Sequence, residues 1–182
     1  MAYNIGALLF GADFSGRFAE LLAAIEPASY TAGGDVDIQQ ATRREFDGIA
    51  AGVFKGRTLV LKQAWPYDCS FQPEQLGPLD ETLAALSAEA PVLCLLIDET
   101  SMTFGLSLYE DGERVRVRQT DPDGVRSDWG TPLAAEAGLA PDQRDDSERI
   151  MRLTAHFLGR RLDALIAGNE LELTRYDASG AG

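Results

Sequence analysis

The sequence predicts an α+β fold: a single domain over residues 1–177, with an antiparallel-rich mixed sheet of about six strands and three main helices packed on it. Three observations lead there. Asp111-Gly112 is a two-residue turn between strands of alternating character. Residues 91–97 are a continuous apolar run. Three other segments repeat their apolar residues at the helical period. Residues 178–182 are expected to be a flexible tail.

Taken in order, residues 3–10 read as a buried strand with Ile5, Leu8, Leu9 and Phe10. Ser15 is placed to cap a helix whose Phe18, Leu21, Leu22 and Ile25 share one face, and Pro27 stops it. Residues 28–47 are the least legible. Gly33-Gly34 suggests a loop, followed by a short helix within 37–46. Residues 57–65 read as a strand ended by Pro66, and 73–89 as a helix with Leu76, Leu79, Leu83 and Leu86 on one side and Pro78 near its first turn. The run 91–97 is a central strand, since both of its faces are apolar. Residues 134–139 suggest a helical turn or two, and 147–167 one long helix ended by Gly168-Asn169. Alternation over 170–176 marks a last strand.

The hairpin is the most specific signal. Asp-Gly at a two-residue loop suits a type I′ turn, where both residues need positive φ. With that loop, Tyr109 faces Arg114, Leu108 faces Val115 and Leu106 faces Val117, while Ser107 meets Arg116 and Gly105 meets Arg118. This register sends the Leu and Val side chains to a core. It leaves Tyr109, Arg114, Arg116 and Arg118 together on a face that meets water or a partner.

Acidic residues number 29 against 16 basic ones, a net charge of −13. Such a chain is poorly suited to nucleic acid or to anionic membrane surfaces. It permits a basic protein partner, although a solubility role is the simpler account of the charge. No apolar run approaches the length of a membrane span, and the start lacks the basic segment of a signal peptide. Cys69 and Cys94 do not form a disulfide framework, so the expected setting is the reducing cytoplasm.

Motifs for chemistry are sparse. The turn at 11–16 lacks the lysine of a phosphate loop, and Asp13 would repel a phosphate. Asp121, Asp123 and Asp128 look faintly like a calcium loop, but the pattern fails at its fifth position, Val125, and at its twelfth, Pro132. The one histidine, His156, has no evident link to Cys69. No catalytic residue, metal site or cofactor is therefore assigned. The candidate binding residues are Trp65, Tyr67, Asp68 and Asp98 at strand ends, and Tyr109, Arg114, Arg116 and Arg118 on the hairpin.

The strand ending Leu106-Ser107-Leu108-Tyr109, the turn Glu110-Asp111-Gly112-Glu113, the basic strand Arg114-Val115-Arg116 and the exit Trp129-Gly130-Thr131-Pro132-Leu133 resemble the central hairpin of small uncharacterised bacterial families of unknown function. The resemblance covers the second half of the chain and transfers no catalytic residue. The expected function is a non-enzymatic protein- or ligand-binding module, including the option of an acidic inhibitor or immunity-type protein. The alternative is a small enzyme with a polar-aromatic cleft near 65–69 and Asp98-Glu99. A homodimer through a sheet edge or the hairpin face is a further option.

Overall fold

The structure, a computed structural model, describes residues 3–178. In chain order the elements are β1 (Asn4–Phe10), α1 (Phe18–Ile25), β2 (Tyr30–Asp37), α2 (Ile38–Ala41), β3 (Ile49–Phe54) and β4 (Arg57–Leu61). After a 3-10 turn at Trp65–Asp68 come α3 (Pro78–Leu86), β5 (Val92–Asp98), β6 (Thr103–Glu110), β7 (Glu113–Asp121) and β8 (Gly124–Gly130). Two further 3-10 turns, Ala134–Glu136 and Gln143–Asp145, lead to α4 (Asp146–Leu158), α5 (Leu162–Gly168) and β9 (Glu172–Ala178).

Among the described residues all the strands belong to one 9-stranded sheet in the order β2-β9-β3-β4-β1-β5-β6-β7-β8. Every neighbouring pair is antiparallel. This corrects the expected six strands and three helices of a mixed sheet. Two segments account for most of the difference. Residues 30–37, expected as loop because of Gly33-Gly34, form edge strand β2, which absorbs the glycines as a register shift between Ala32 and Gly34. Residues 49–54 form β3, which pairs with β4 through Lys55-Gly56, both at positive φ. The long C-terminal helix is broken in two at Gly159, whose φ of 72° closes α4 in the left-handed conformation. The tail expected from 178 onward lies, beyond Ala178, outside the described residues, and Ala178 itself pairs with Tyr30.

Both faces of the sheet are covered, which is why its central strands are apolar throughout. On β1, Ile5, Ala7 and Leu9 join the core beneath α2, α4 and α5. Leu8 and Phe10 join the core beneath α1 and α3. On β5, Leu93, Leu95 and Ile97 face the first core, and Val92, Cys94 and Leu96 face the second. Backbone crowding fixes two glycines. A Cβ on Gly6 would lie 2.6 Å from the Lys62 carbonyl oxygen where the chain leaves β4, and one on Gly105 would lie 2.7 Å from the Phe71 ring.

The β6–β7 hairpin turns at Asp111 and Gly112, both at positive φ, as a type I′ turn requires. Its register is corrected beyond the first two pairs. Tyr109 faces Arg114, but Val115 is then bulged out, so Leu108 faces Arg116, Ser107 faces Val117 and Leu106 faces Arg118. The bulge sends Arg114 to the α3 face and Arg116 and Arg118 to the α4 face. Gly130 of β8 fits against it, since a Cβ there would lie 2.1 Å from the Val115 carbonyl oxygen.

Candidate ligand cleft

The hairpin arginines are not a surface. Arg114, Arg116 and Arg118 are 8%, 1% and 3% exposed, which corrects the expectation that they meet water or a partner. Arg116 donates from Nε and Nη2 to the two carboxylate oxygens of Glu136, both at 3.0 Å. It also donates to the Trp129 carbonyl at 2.7 Å and pairs with Asp128 at 2.6 Å. Arg118 donates to Asp146 at 2.9 Å and to the Pro141 carbonyl at 2.9 Å, and pairs with Asp128. Arg149 of α4 pairs with Asp146 and reaches Glu136 at 3.2 Å. Buried charges demand such partners, so this network ties β7 to β8 and to α4. Burial pushes the Glu136 carboxyl up, but the bonds from Arg116 and the Leu133 N–H, with Arg149 nearby, outweigh it and hold it below the usual range.

On the other face, Arg114 fastens the loop before α3. It donates to the carbonyls of Gln72 at 2.5 Å, Gln75 at 3.0 Å and Pro73 at 3.1 Å. Asp80, fully buried, accepts from the Ser70 and Gly77 N–H groups at 2.7 Å each and from the Tyr109 hydroxyl. Burial first, then Cys94, Cys69 and Asp80, pushes the Tyr109 phenol far up, so it remains a donor. Cys69 and Cys94 are free thiols with their sulfurs 3.5 Å apart. The hydrogen bond to Cys69, then burial, pushes the Cys94 thiol well up. His156 is exposed on α4, on the opposite side of the sheet from Cys69.

The strand-end candidates separate into two roles. Trp65 is buried, and its indole N–H donates to Glu26 at 2.7 Å beneath Lys62. With Asp68, Ile25, Pro27, Pro78 and Leu79 it lines an open groove of about 460 Å³ between α1 and α3. Tyr67 is exposed and its hydroxyl stands 3.5 Å from Asp98. Asp98 accepts from the N–H groups of Thr100 at 3.0 Å and Ser101 at 3.1 Å, so it shapes the β5–β6 turn. Burial opposes ionisation of Asp98, but the bonds from Ser101, Thr100 and Tyr67 hold its carboxyl below the usual range. Glu99 accepts from the Tyr3 N–H at 2.9 Å and anchors the start of β1.

A second cavity lies at the same end of the sheet, on the α2 and α5 side. It measures about 490 Å³, within the range of small-molecule sites. Tyr3 and Asn4 enter from the start of β1, Gln39 and Thr42 from α2 and its end, and Thr100 from the turn that Asp98 holds. Ile166 and Ala167 of α5 supply an apolar wall, and Arg43, Arg44 and Glu45 stand at the rim. The walls are tied together. Gln39 donates to the Ile166 carbonyl at 2.9 Å, and Gln63 donates to the Arg43 carbonyl at 3.0 Å. Burial first, then the charges of Asp163 and Glu99, pushes the Tyr3 phenol up.

None of these lining residues was among the sequence candidates. The one local signal is Arg43-Arg44, an adjacent basic pair in a strongly acidic chain, within the segment whose pattern is least legible. Of the 16 basic side chains, only Arg43, Arg44, Lys55 and Arg57 form no ion pair among the described residues.

Among the described residues no helix is long and apolar enough to cross a membrane. No curated protein and no solved structure matches the chain. A family model does match, over residues 14–169, and so extends well beyond the hairpin that carried the resemblance. The chain belongs to that family, the family of unknown function DUF6928.

Proposed function

We propose that residues 1–177 act as one non-enzymatic binding module of the bacterial cytoplasm, with a small molecule held in the cleft between the start of β1, α2 and α5. The observation that carries this reading is the contrast in polar commitments. The buried arginines and carboxylates of the hairpin are spent on one another. At the cleft, Asn4, Arg43 and Arg44 make no side-chain hydrogen bond to another described residue. An apolar wall with a few uncommitted polar groups is the usual make-up of a ligand site. The free thiols of Cys69 and Cys94 suit a reducing setting.

The test is a fluorescence titration with the neutral apolar probe N-phenyl-1-naphthylamine, on the wild type and on Ala167→Trp, which fills the cleft from an exposed position. The reading expects saturable one-to-one binding that the variant abolishes. Binding that survives the variant contradicts it.

The net charge of −13 supports a second reading, an acidic surface that covers a basic protein. Its test is recovery of a basic partner at low salt and its release at high salt. Failure to recover one counts against it.

A further inference from the structure

We infer that the cleft takes an anionic ligand: a small molecule with an apolar body against Ile166 and Ala167 and one acid group, carboxylate, sulfonate or phosphate, on Arg43 and Arg44. This rests on the cleft being a ligand site. It adds the chemical class.

Three observations carry it. First, the chain offers far more carboxylates than cations, and most of the basic side chains have taken one. Arg17 pairs with Glu89, Lys62 with Glu26, and Arg161 with both Glu148 and Asp163. Two of the few left without such a partner are neighbours in sequence and stand at one cavity. Second, carboxylates close in sequence to the lining residues are engaged elsewhere. Asp47 lies against Arg175, Asp98 holds Thr100 and Ser101, and Glu99 holds Tyr3. Glu45 is the one carboxylate among the lining residues, against two guanidinium groups, and Asp163 and Glu99, whose charges act on Tyr3, are engaged by Arg161 and by the Tyr3 N–H. Third, the neutral donors point to the same chemistry. Asn4 and Thr100 bring an uncommitted amide and hydroxyl to the site. Guanidinium groups with such donors are the usual means of holding an acid group. The overall negative charge does not prevent this. Charges beyond about 8 Å are largely screened at physiological ionic strength, whereas those at the rim are not.

The experiment compares two probes with similar aromatic bodies. 1-Anilinonaphthalene-8-sulfonate carries an acid group, and N-phenyl-1-naphthylamine does not. Each is titrated against the full chain, against Arg43→Gln and Arg44→Gln, against Ala167→Trp, and against Lys55→Gln as a cation change at the other end of the sheet. Circular dichroism checks that each variant is folded. The inference expects the sulfonate to bind more tightly than the neutral probe, and each arginine variant to weaken the sulfonate by about tenfold. It expects the neutral probe to be unmoved by those variants, Lys55→Gln to move neither, and added salt to weaken the sulfonate alone. If both probes bind, Ala167→Trp removes both, and the arginine variants leave the sulfonate unchanged or weaken both equally, the anionic class is overturned while the cleft stands. If neither probe binds, or Ala167→Trp leaves both bound, the ligand-cleft reading fails and this inference fails with it.

Discussion

Arg116 meets Glu136 side-on, Nε to one carboxylate oxygen and Nη2 to the other, both at 3.0 Å, with the two residues 1% and 7% exposed. The pair joins β7 to the 3-10 turn that leads toward α4, and Asp128, Asp146, Arg118 and Arg149 extend it into a network. Stripping one partner from a buried pair leaves an uncompensated charge. Glu136→Ala is therefore expected to lower unfolding stability by about 3–5 kcal/mol. Asp128→Asn, whose side chain is 39% exposed, is expected to cost about 1 kcal/mol or less. Urea unfolding of the two variants checks the order. Equal losses would show that burial does not set the strength of this network.

The same carboxyl makes stability depend on pH in a defined direction. Arg116, the Leu133 N–H and Arg149 overcome the effect of burial and hold Glu136 below its ordinary value. The folded chain thus binds that proton less readily than the unfolded chain. The stabilisation is complete above the unfolded value of about 4.3 and is lost as pH falls through the lower folded value. The gap in stability between wild type and Glu136→Gln should be constant from neutral pH to about pH 5 and then narrow on further acidification. Urea midpoints at stepped pH measure it. A gap that widens toward acid would contradict the assignment.

Gly105 lies against the outer edge of the Phe71 ring, where a Cβ would come within 2.7 Å of Cζ. Gly105→Ala is expected to destabilise by about 1–3 kcal/mol. Much of that loss should be recovered when Phe71→Leu removes the ring edge, because the two changes share one contact. Thermal unfolding of the double-mutant cycle checks this. Additive losses would mean that the crowding is relieved elsewhere.

Cys94 is fully buried against Cys69, and that hydrogen bond together with burial keeps its thiol protonated. A thiol, rather than thiolate, reacts poorly. Labelling of Cys94 by iodoacetamide in the native protein should be at least about a hundredfold slower than in urea. Mass spectrometry of timed aliquots follows it. Rapid native labelling would place the residue nearer to solvent than the β5 packing allows.

The sequence and the structure agree where a local rule decides. The Asp111-Gly112 turn, the central place of β5, the buried Leu21, Leu22 and Ile25 of α1 and the buried Leu79 and Leu83 of α3 follow from φ preference and hydrophobic period, whereas Leu76 precedes α3 and is exposed, and Arg17 rather than Ser15 stands at the start of α1. They part where a distant partner decides. The bulge at Val115 reverses the face of Arg116 and Arg118, and it is suited to their partners Glu136, Asp146 and Asp128, which lie 10–28 residues away and carry no mark of that role. β2 was hidden because its two glycines and exposed polar residues read as loop, and its place comes from pairing with the end of the chain at β9. The cleft was hidden for the same reason. Its walls come from residues 3–4, 39–45, 100 and 166–167, and only the sheet brings them together. Asp98 was legible as a strand-end residue. Its hydrogen bonds to Thr100 and Ser101 assign it to shaping the cleft wall.

The most direct measurement of the central claim is an amide chemical-shift map, taken while 1-anilinonaphthalene-8-sulfonate is added to the isotopically labelled chain. The account predicts saturable shifts concentrated at Tyr3, Asn4, Thr42, Arg43, Thr100 and Ala167, with the Trp65 groove and the β6–β7 hairpin unmoved. Shifts centred on Trp65, Asp68 and Leu79 instead, or no saturable shifts at all, would contradict it.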